Sequence, residues 1–248
     1  MRIDYPAETA PLRQLWKVAF GDEDAFLDCF FRYGYDPQKC RCVFLDGEIA
    51  SALYWLDCEY RGQRLAYLYA IATAPAHRGK GLFRALMADA HGLLAEMGYA
   101  GILLVPAKPE LFAMYEKLGY RTCSYADNLS CAAGDPIPLR RLDAAEYARL
   151  RRKYLPEAGV VQENATLTFL ESYSELYAGD DFLLAGDWEN GIFRGSELLG
   201  NAAAAPGILA ALGAEKGCFR TAGNSAPFAM YHPLSDLPAP GYFGLALD

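Results

Sequence analysis

The 248-residue chain is 53% apolar, ample for buried cores, and carries a net charge of −8. No run approaches the ~20 apolar residues a bilayer requires, and the start, MRIDYPAETAPLR, lacks the basic-then-apolar order of a signal peptide. The acidic balance opposes nucleic-acid binding, so the expectation is a cytoplasmic protein of one large or two small domains, with neither a membrane nor a nucleic acid as partner.

Residues 8–33 read as two helices broken at Gly21-Asp22. The first carries Leu12, Leu15, Trp16 and Phe20, the second Phe26, Leu27, Phe30 and Phe31, with Asp22 as the expected N-cap of the second. Residues 42–45 and 49–56 flank Asp46-Gly47, a strong hairpin signal. Arg61-Gly62 makes the next turn, into a strand-like run over 65–73. Then comes Arg78-Gly79-Lys80-Gly81-Leu82-Phe83, followed by a helical pattern from Leu82 to about Met97 with Leu82, Leu86, Ala90, Leu93, Leu94 and Met97 on one face.

A strand, a glycine-containing basic turn and a helix make an anion site. Amides at the helix start point outward, the dipole favours negative charge there, and Arg78 and Lys80 add positive charge. The natural ligand is a pyrophosphate; the plainer alternative is a tight connection with two solvated basic residues. The Walker spacing and its Lys-Ser/Thr are absent. Residues 100–105 read as a buried strand ended by Pro106. A helix follows over 110–118, with Pro109 at its start, Gly119 at its end, and Tyr115 on its apolar side with Leu111 and Leu118.

Two stretches, YAIATAPAHRGKGLFRALM (69–87) and ELFAMYEKLGYR (110–121), resemble the GNAT-type N-acetyltransferase superfamily, the likeness running from about Leu12 to Arg121. Arg78 and Gly81 match the family's phosphate loop, with Phe83 where a small residue is usual. Tyr115, Gly119 and Tyr120 match its second signature. An Asn commonly stands seven residues before that tyrosine, at a contact to the pantetheine or its neighbourhood, and Lys108 holds the position here. The resemblance implies a mixed, mostly antiparallel α/β sheet flanked by helices, and acetyl-CoA or another acyl-CoA as co-substrate. It places Ile71, Ala72 and Thr73 at the thioester through main chain, Arg78, Gly79, Lys80, Gly81, Leu82 and Phe83 at the pyrophosphate, and Tyr115 as the acid that protonates the departing thiolate. It also lays the 8–33 segment over the acceptor, whose aromatics either line a pocket or pack a core.

From Ala132 the chain turns more acidic, with 9 Lys+Arg against 15 Asp+Glu to the end. The turn-rich 132–138 is read as a linker between a domain over 1–131 and a second over 132–248. Helices are expected over 142–155, 164–177 and 208–212, and strands over 182–186, 191–199, 217–221, 227–232 and 241–247. This order loosely repeats the first half, but 199–207 has no Arg or Lys where a phosphate loop would fall. A second GNAT-like domain without coenzyme is expected, shaping the acceptor site or merely stabilising the first. The last strand is expected to return to the first sheet and bring Asp248 near the reaction as a base; Asp57 and Glu59 are the other carboxylate candidates.

Seven cysteines, with only Cys40 and Cys42 close, and His77, His91 and His232 without ligand spacing predict reduced thiols and no metal site. With no Cys or Ser placed as an acyl carrier, direct transfer to a primary amine, on a small molecule or a peptide, is the expected reaction. The rival is a non-catalytic acyl-CoA-binding module whose second domain contacts a protein. A third possibility is another phosphate compound as ligand.

Overall fold

The computed structural model describes residues 1–247. It is a mixed α/β fold, mostly antiparallel sheet with helices against it. Contacts group 1–104 with 232–238 as one unit, and 105–231 with the chain from Ala239 onward as another.

In the first unit, β1 (Arg2–Asp4), β2 (Cys40–Leu45), β3 (Glu48–Tyr60), β4 (Gln63–Thr73) and β5 (Gly101–Leu104) lie side by side in chain order. All pairs are antiparallel except β4–β5. The two hairpins turn at Asp46-Gly47 and Arg61-Gly62, all four residues at positive φ, the geometry that matches strand twist in a two-residue turn. Helices α1 (Ala10–Phe20), α2 (Asp24–Cys29) and α3 (Leu82–Glu96) accompany this sheet. On α1, Leu12, Leu15 and Trp16 are buried, as their spacing predicts. On α3, Leu82, Leu86, Met87, Ala90 and Leu94 are buried, whereas Met97, expected on the same face, follows the helix end and is exposed. Asp22 does not cap α2: its carboxylate accepts the Trp16 indole N–H at 2.7 Å, and Glu23 holds the cap position without a side-chain bond. Arg41 on β2 grips Asp89 on α3 through Nε (2.8 Å) and Nη2 (3.0 Å), a bidentate pair that fastens the helix to the sheet.

The second unit holds α4 (Glu110–Glu116), β6 (Arg121–Ala132), β7 (Arg140–Arg141), α5 (Ala144–Tyr154), α6 (Ala165–Glu171), β8 (Glu175–Ala178), β9 (Phe182–Glu189), β10 (Ile192–Gly200), α7 (Ala205–Leu212), β11 (Lys216–Ala222) and β12 (Ala226–Pro233, through Tyr231). Its strand order is β12-β6-β11-β10-β9-β8-β7. The run β7-α5-α6-β8-β9-β10-α7-β11 repeats β1-α1-α2-β2-β3-β4-α3-β5 element for element. The repeat extends to the antiparallel pairs and the closing parallel pair. Phe182, Leu184, Phe193, Ile208, Leu209 and Phe219 form a core between this sheet and α7.

Two further expectations are corrected. The helix over 164–177 stops at Glu171, where Ser172 turns its hydroxyl onto the Phe169 carbonyl at 2.6 Å; residues 175–178 are instead strand β8, paired with β9. Residues 241–247 form no strand. Their one ladder-like contact is the Gly159–Tyr242 bridge, they group with the second unit, and the place along β6 is taken by β12.

Candidate active site

The site is built on the end of β4, the loop after it and the start of α3. Along β3, Ala52 pairs with Ala72 and Tyr54 with Tyr69, so β4 spends one extra residue over this stretch. That residue falls at Ala70, whose φ is +48°. A bulge of this kind leaves main-chain groups out of the ladder and bends the strand. On its other side, β4 is in register with β5 only over Leu65–Tyr67. Ile71, Ala72 and Thr73 therefore sit beyond the β5 pairing, on a strand end whose backbone has turned. Ser51, fully buried on β3, donates to the Ala72 carbonyl at 2.6 Å and lies 2.8 Å from the Thr73 hydroxyl, holding that end in place.

A single 3-10 turn, Pro75–His77, leads to the loop. The Arg78 Nε donates back to the Thr73 carbonyl at 3.1 Å, and the Lys80 ammonium lies 3.3 Å from the His77 Nδ1. Gly79 and Gly81 have φ of +75° and +78°. At both, a Cβ would meet nothing within 4 Å, so the demand for glycine is conformational and not steric crowding. Gly81 is the N-cap of α3, and the helix's first bond is Ala85 N–H to the Gly81 carbonyl at 3.1 Å. The amides ahead of Ala85 have no intrahelical acceptor and face the positive end of the macrodipole. Leu82 is buried and Phe83 half-buried, so the helix start is anchored by apolar contacts while Arg78 through Gly81 stay exposed. Such a loop and helix start can receive an anion.

Lys108 and Tyr115 belong to the second unit. Lys108 is exposed ahead of α4, its carbonyl accepting the Leu111 N–H at 3.0 Å. Tyr115 is 7% exposed, with its ring edge-on to Tyr120 at 5.7 Å. Burial pushes its phenol up to about 12, so it is protonated at neutral pH. The carbonyl of Tyr115 accepts the amides of Leu118 (2.9 Å) and Tyr120 (3.2 Å), closing the helix ahead of β6.

Two of the candidate bases lie far along β3 from the end of β4. Asp57 accepts from the Lys39 ammonium (2.9 Å) and the Tyr99 hydroxyl (2.5 Å). It pairs with Ala66, five residues along β3 from the Ala52–Ala72 pair, or about 17 Å at strand rise. Glu59 lies still farther along, opposite Arg64. Asp248 lies outside the described residues. Trp16 and Phe30 are core residues, 4.7 Å apart and in ring contact with Tyr54 and Tyr69; Phe31 and Tyr35 are half-buried at the rim of this group. The sequence reading missed Ser51, whose signal was a lone hydroxyl in an apolar strand. It also missed the bulge at Ala70, for which alanine gives no signal.

Residues 6–123 match the family model described as the acetyltransferase (GNAT) domain. No match is found among the curated proteins. Similar solved structures include a GCN5-related N-acetyltransferase from Kribbella flavida, with TM-score 0.69 and 19% identity over 94% of this chain and 72% of that one. A probable N-acyltransferase from Enterococcus faecalis V583 gives TM-score 0.70 and 16% identity over 94% and 72%. A putative acetyltransferase from Pyrococcus horikoshii gives 0.63 and 15% over 98% and 93%. At these identities the likeness is one of fold. Residues 6–123 thus match the acetyltransferase (GNAT) domain model, and the chain shares the fold of these solved acetyltransferases.

Proposed function

We propose that this protein is an acyl-CoA-dependent N-acyltransferase that moves an acetyl group from acetyl-CoA to a primary amine in one ternary complex. The observation that carries the reading is the bulged end of β4 running directly into the αL-glycine loop and the start of α3. Main-chain donors for a thioester and a cradle for a pyrophosphate thus lie on one continuous segment. The amides of 79–83, with Arg78 and Lys80, hold the pyrophosphate. Backbone N–H groups at Ile71–Thr73 polarise the thioester carbonyl as its tetrahedral intermediate forms. Lys108 is the proposed contact to the pantetheine arm or its neighbourhood.

In the reaction, the neutral amine attacks the carbonyl, the C–N bond forms and the C–S bond breaks. Tyr115 supplies a proton to the departing sulfur, the proton released by the amine passes to solvent, and solvent returns a proton to Tyr115. The high pKa of a buried phenol keeps Tyr115 in the acid form this role needs. Net charge −8 favours a cationic acceptor through the long-range field. The second unit has the same element order, but Asn201 and Ala202–Ala204 stand where the loop would be, so one coenzyme per chain is expected.

Titration calorimetry with acetyl-CoA on the native protein and on the Arg78→Ala/Lys80→Ala variant tests the site. Micromolar binding with one molecule per chain, weakened in the variant, is expected; absence of binding to the native protein overturns the reading. Tyr115→Phe then separates an enzyme from a binding module: turnover on an amine panel falls in the first case, and there is none to lose in the second.

A further inference from the structure

The second unit contains a buried charge that acetyl transfer at β4 does not use. Its strand β10 bulges between Gly195 and Glu197, and Glu197 is 1% exposed. The carboxylate accepts four hydrogen bonds. Oε2 takes Arg151 Nε (2.7 Å) and the Tyr147 hydroxyl (2.9 Å); Oε1 takes Arg151 Nη2 (2.8 Å) and the Tyr242 hydroxyl (2.9 Å). Arg151 Nη1 donates to the Val160 carbonyl at 3.0 Å, and Nη2 lies 3.4 Å from Gln162 Oε1.

Gln162 in turn grips the chain's last segment on both sides: its Nε2 donates to the Leu245 carbonyl at 2.6 Å and its Oε1 accepts the Leu245 N–H at 3.2 Å. Gly244 passes so close that a Cβ there would lie 1.7 Å from Glu197 Oε1. On the other flank, Ser124 of β6 accepts the Phe243 N–H at 3.1 Å and donates to its carbonyl at 3.4 Å. The segment has almost no ladder of its own, yet Phe243 and Leu245 are buried. Backbone bonds tie Gly241 and Tyr242 to Ala158 and Val160; beyond them, side chains and not a sheet hold Phe243 and Leu245 in register. An apolar core would bury these residues equally well, and the best-attested use of a buried ion pair is to specify one arrangement among several.

β6 begins immediately after Tyr120, whose ring packs on Tyr115. We propose that Glu197, Arg151, Gln162 and Ser124 are positioning residues that lock residues 241–247 against β6 and so fix the α4–β6 junction that carries Tyr115. The effect on turnover rests on the reading of Tyr115 as proton donor; the lock itself does not. A donor displaced by about 1 Å loses on the order of 100-fold in rate, so a loosened junction lowers kcat and leaves coenzyme affinity alone.

The test compares the native protein with Gln162→Ala and with the milder Ser124→Ala, which leaves the buried Gln162–Arg151–Glu197 network in place should the first variant fold poorly. Three quantities are measured: carboxypeptidase trimming of the C-terminal segment, amide hydrogen exchange of peptides over 115–126, and kcat beside the Kd for acetyl-CoA. Expected are at least tenfold faster trimming and exchange, about tenfold lower kcat, and a Kd within twofold of native. Native-rate trimming and exchange in both variants would overturn the lock. A released segment with unchanged kcat in an active enzyme would overturn its role in turnover. If the native protein transfers no acetyl group, the proposed function fails and the coupling to turnover falls with it, while faster trimming and exchange still establish the lock.

Discussion

Arg151 and Arg152 are neighbours on α5, and each forms a bidentate pair with a glutamate. Their contributions to stability are predicted to differ several-fold. Arg152 meets Glu163 at 2.6 and 2.8 Å, but its side chain is 54% exposed. Exposed pairs contribute about 0–1 kcal/mol, so Arg152→Met should move stability by less than about 1 kcal/mol. Arg151 is 3% exposed and Glu197 fully enclosed. Removing the guanidinium leaves a buried carboxylate with two tyrosine hydroxyls as donors and takes the Arg151 donor from the Val160 carbonyl. Breaking a buried pair on one side typically costs about 3–5 kcal/mol, which lowers the melting midpoint by about 6–20 °C in a chain of this size.

The pH dependence sharpens the test. Burial raises the Glu197 pKa, but Arg151 and the two tyrosines outweigh it and hold the pKa below the usual value of 4.5. In the native protein its stabilisation is present above that value and is lost as pH falls through the lower folded pKa. In Arg151→Met the folded pKa rises instead, so the variant recovers stability as pH falls. The gap between the two proteins should be widest near pH 7 and narrow towards pH 4–5. Urea denaturation across that range measures it. Equal losses for Arg151→Met and Arg152→Met, or a gap that widens on acidification, would refute the argument.

At the loop, Gly81→Val forces a β-branched residue to φ +78°; about 1–2 kcal/mol of strain should weaken acetyl-CoA binding roughly 5- to 30-fold in calorimetry. Tyr115→Phe should lower kcat by about 10²–10⁴ with the acetyl-CoA Kd unchanged, measured by thiol release and by calorimetry. His91 stacks on His232 at 4.3 Å, and burial together with His232 lowers it to about 4. A histidine depressed in the fold contributes stability that is lost as pH falls from about 6.5 towards 4, so His91→Phe should flatten the melting midpoint across that window. Ser51→Ala removes the clasp on the Ala72 carbonyl and should raise KM for acetyl-CoA severalfold in steady-state assays while altering the melting midpoint little.

Much of this fold is legible in local chemistry. Asp46-Gly47 and Arg61-Gly62 demand hairpins because few dipeptides accept two positive φ values. The apolar spacing from Leu82 to Leu94 has only one helical solution against a sheet. The loop's two glycines and two cations announce an anion. Where local signals compete, the reading went astray. Asp22 is a good cap residue, but the buried Trp16 N–H needs an acceptor and takes it. The helix expected over 164–177 ends at Glu171, and the pairing of β8 with β9 makes 175–178 a strand; Tyr242–Leu247 read as a strand although backbone bonds at Gly241 and Tyr242 and side chains beyond them hold that segment.

The hairpins, the helix faces and the glycine loop into α3 follow from the sequence alone, because each depends on backbone preference or on periodicity within a few residues. The bulge at Ala70, the clasp of Ser51 on Ala72 and the pairing of Asp57 with Lys39 come from the tertiary structure. It also decided the meeting of Glu197 with Arg151, 46 residues apart in the chain. These depend on register between strands and on which buried charges find each other, and both are fixed by packing over the whole unit.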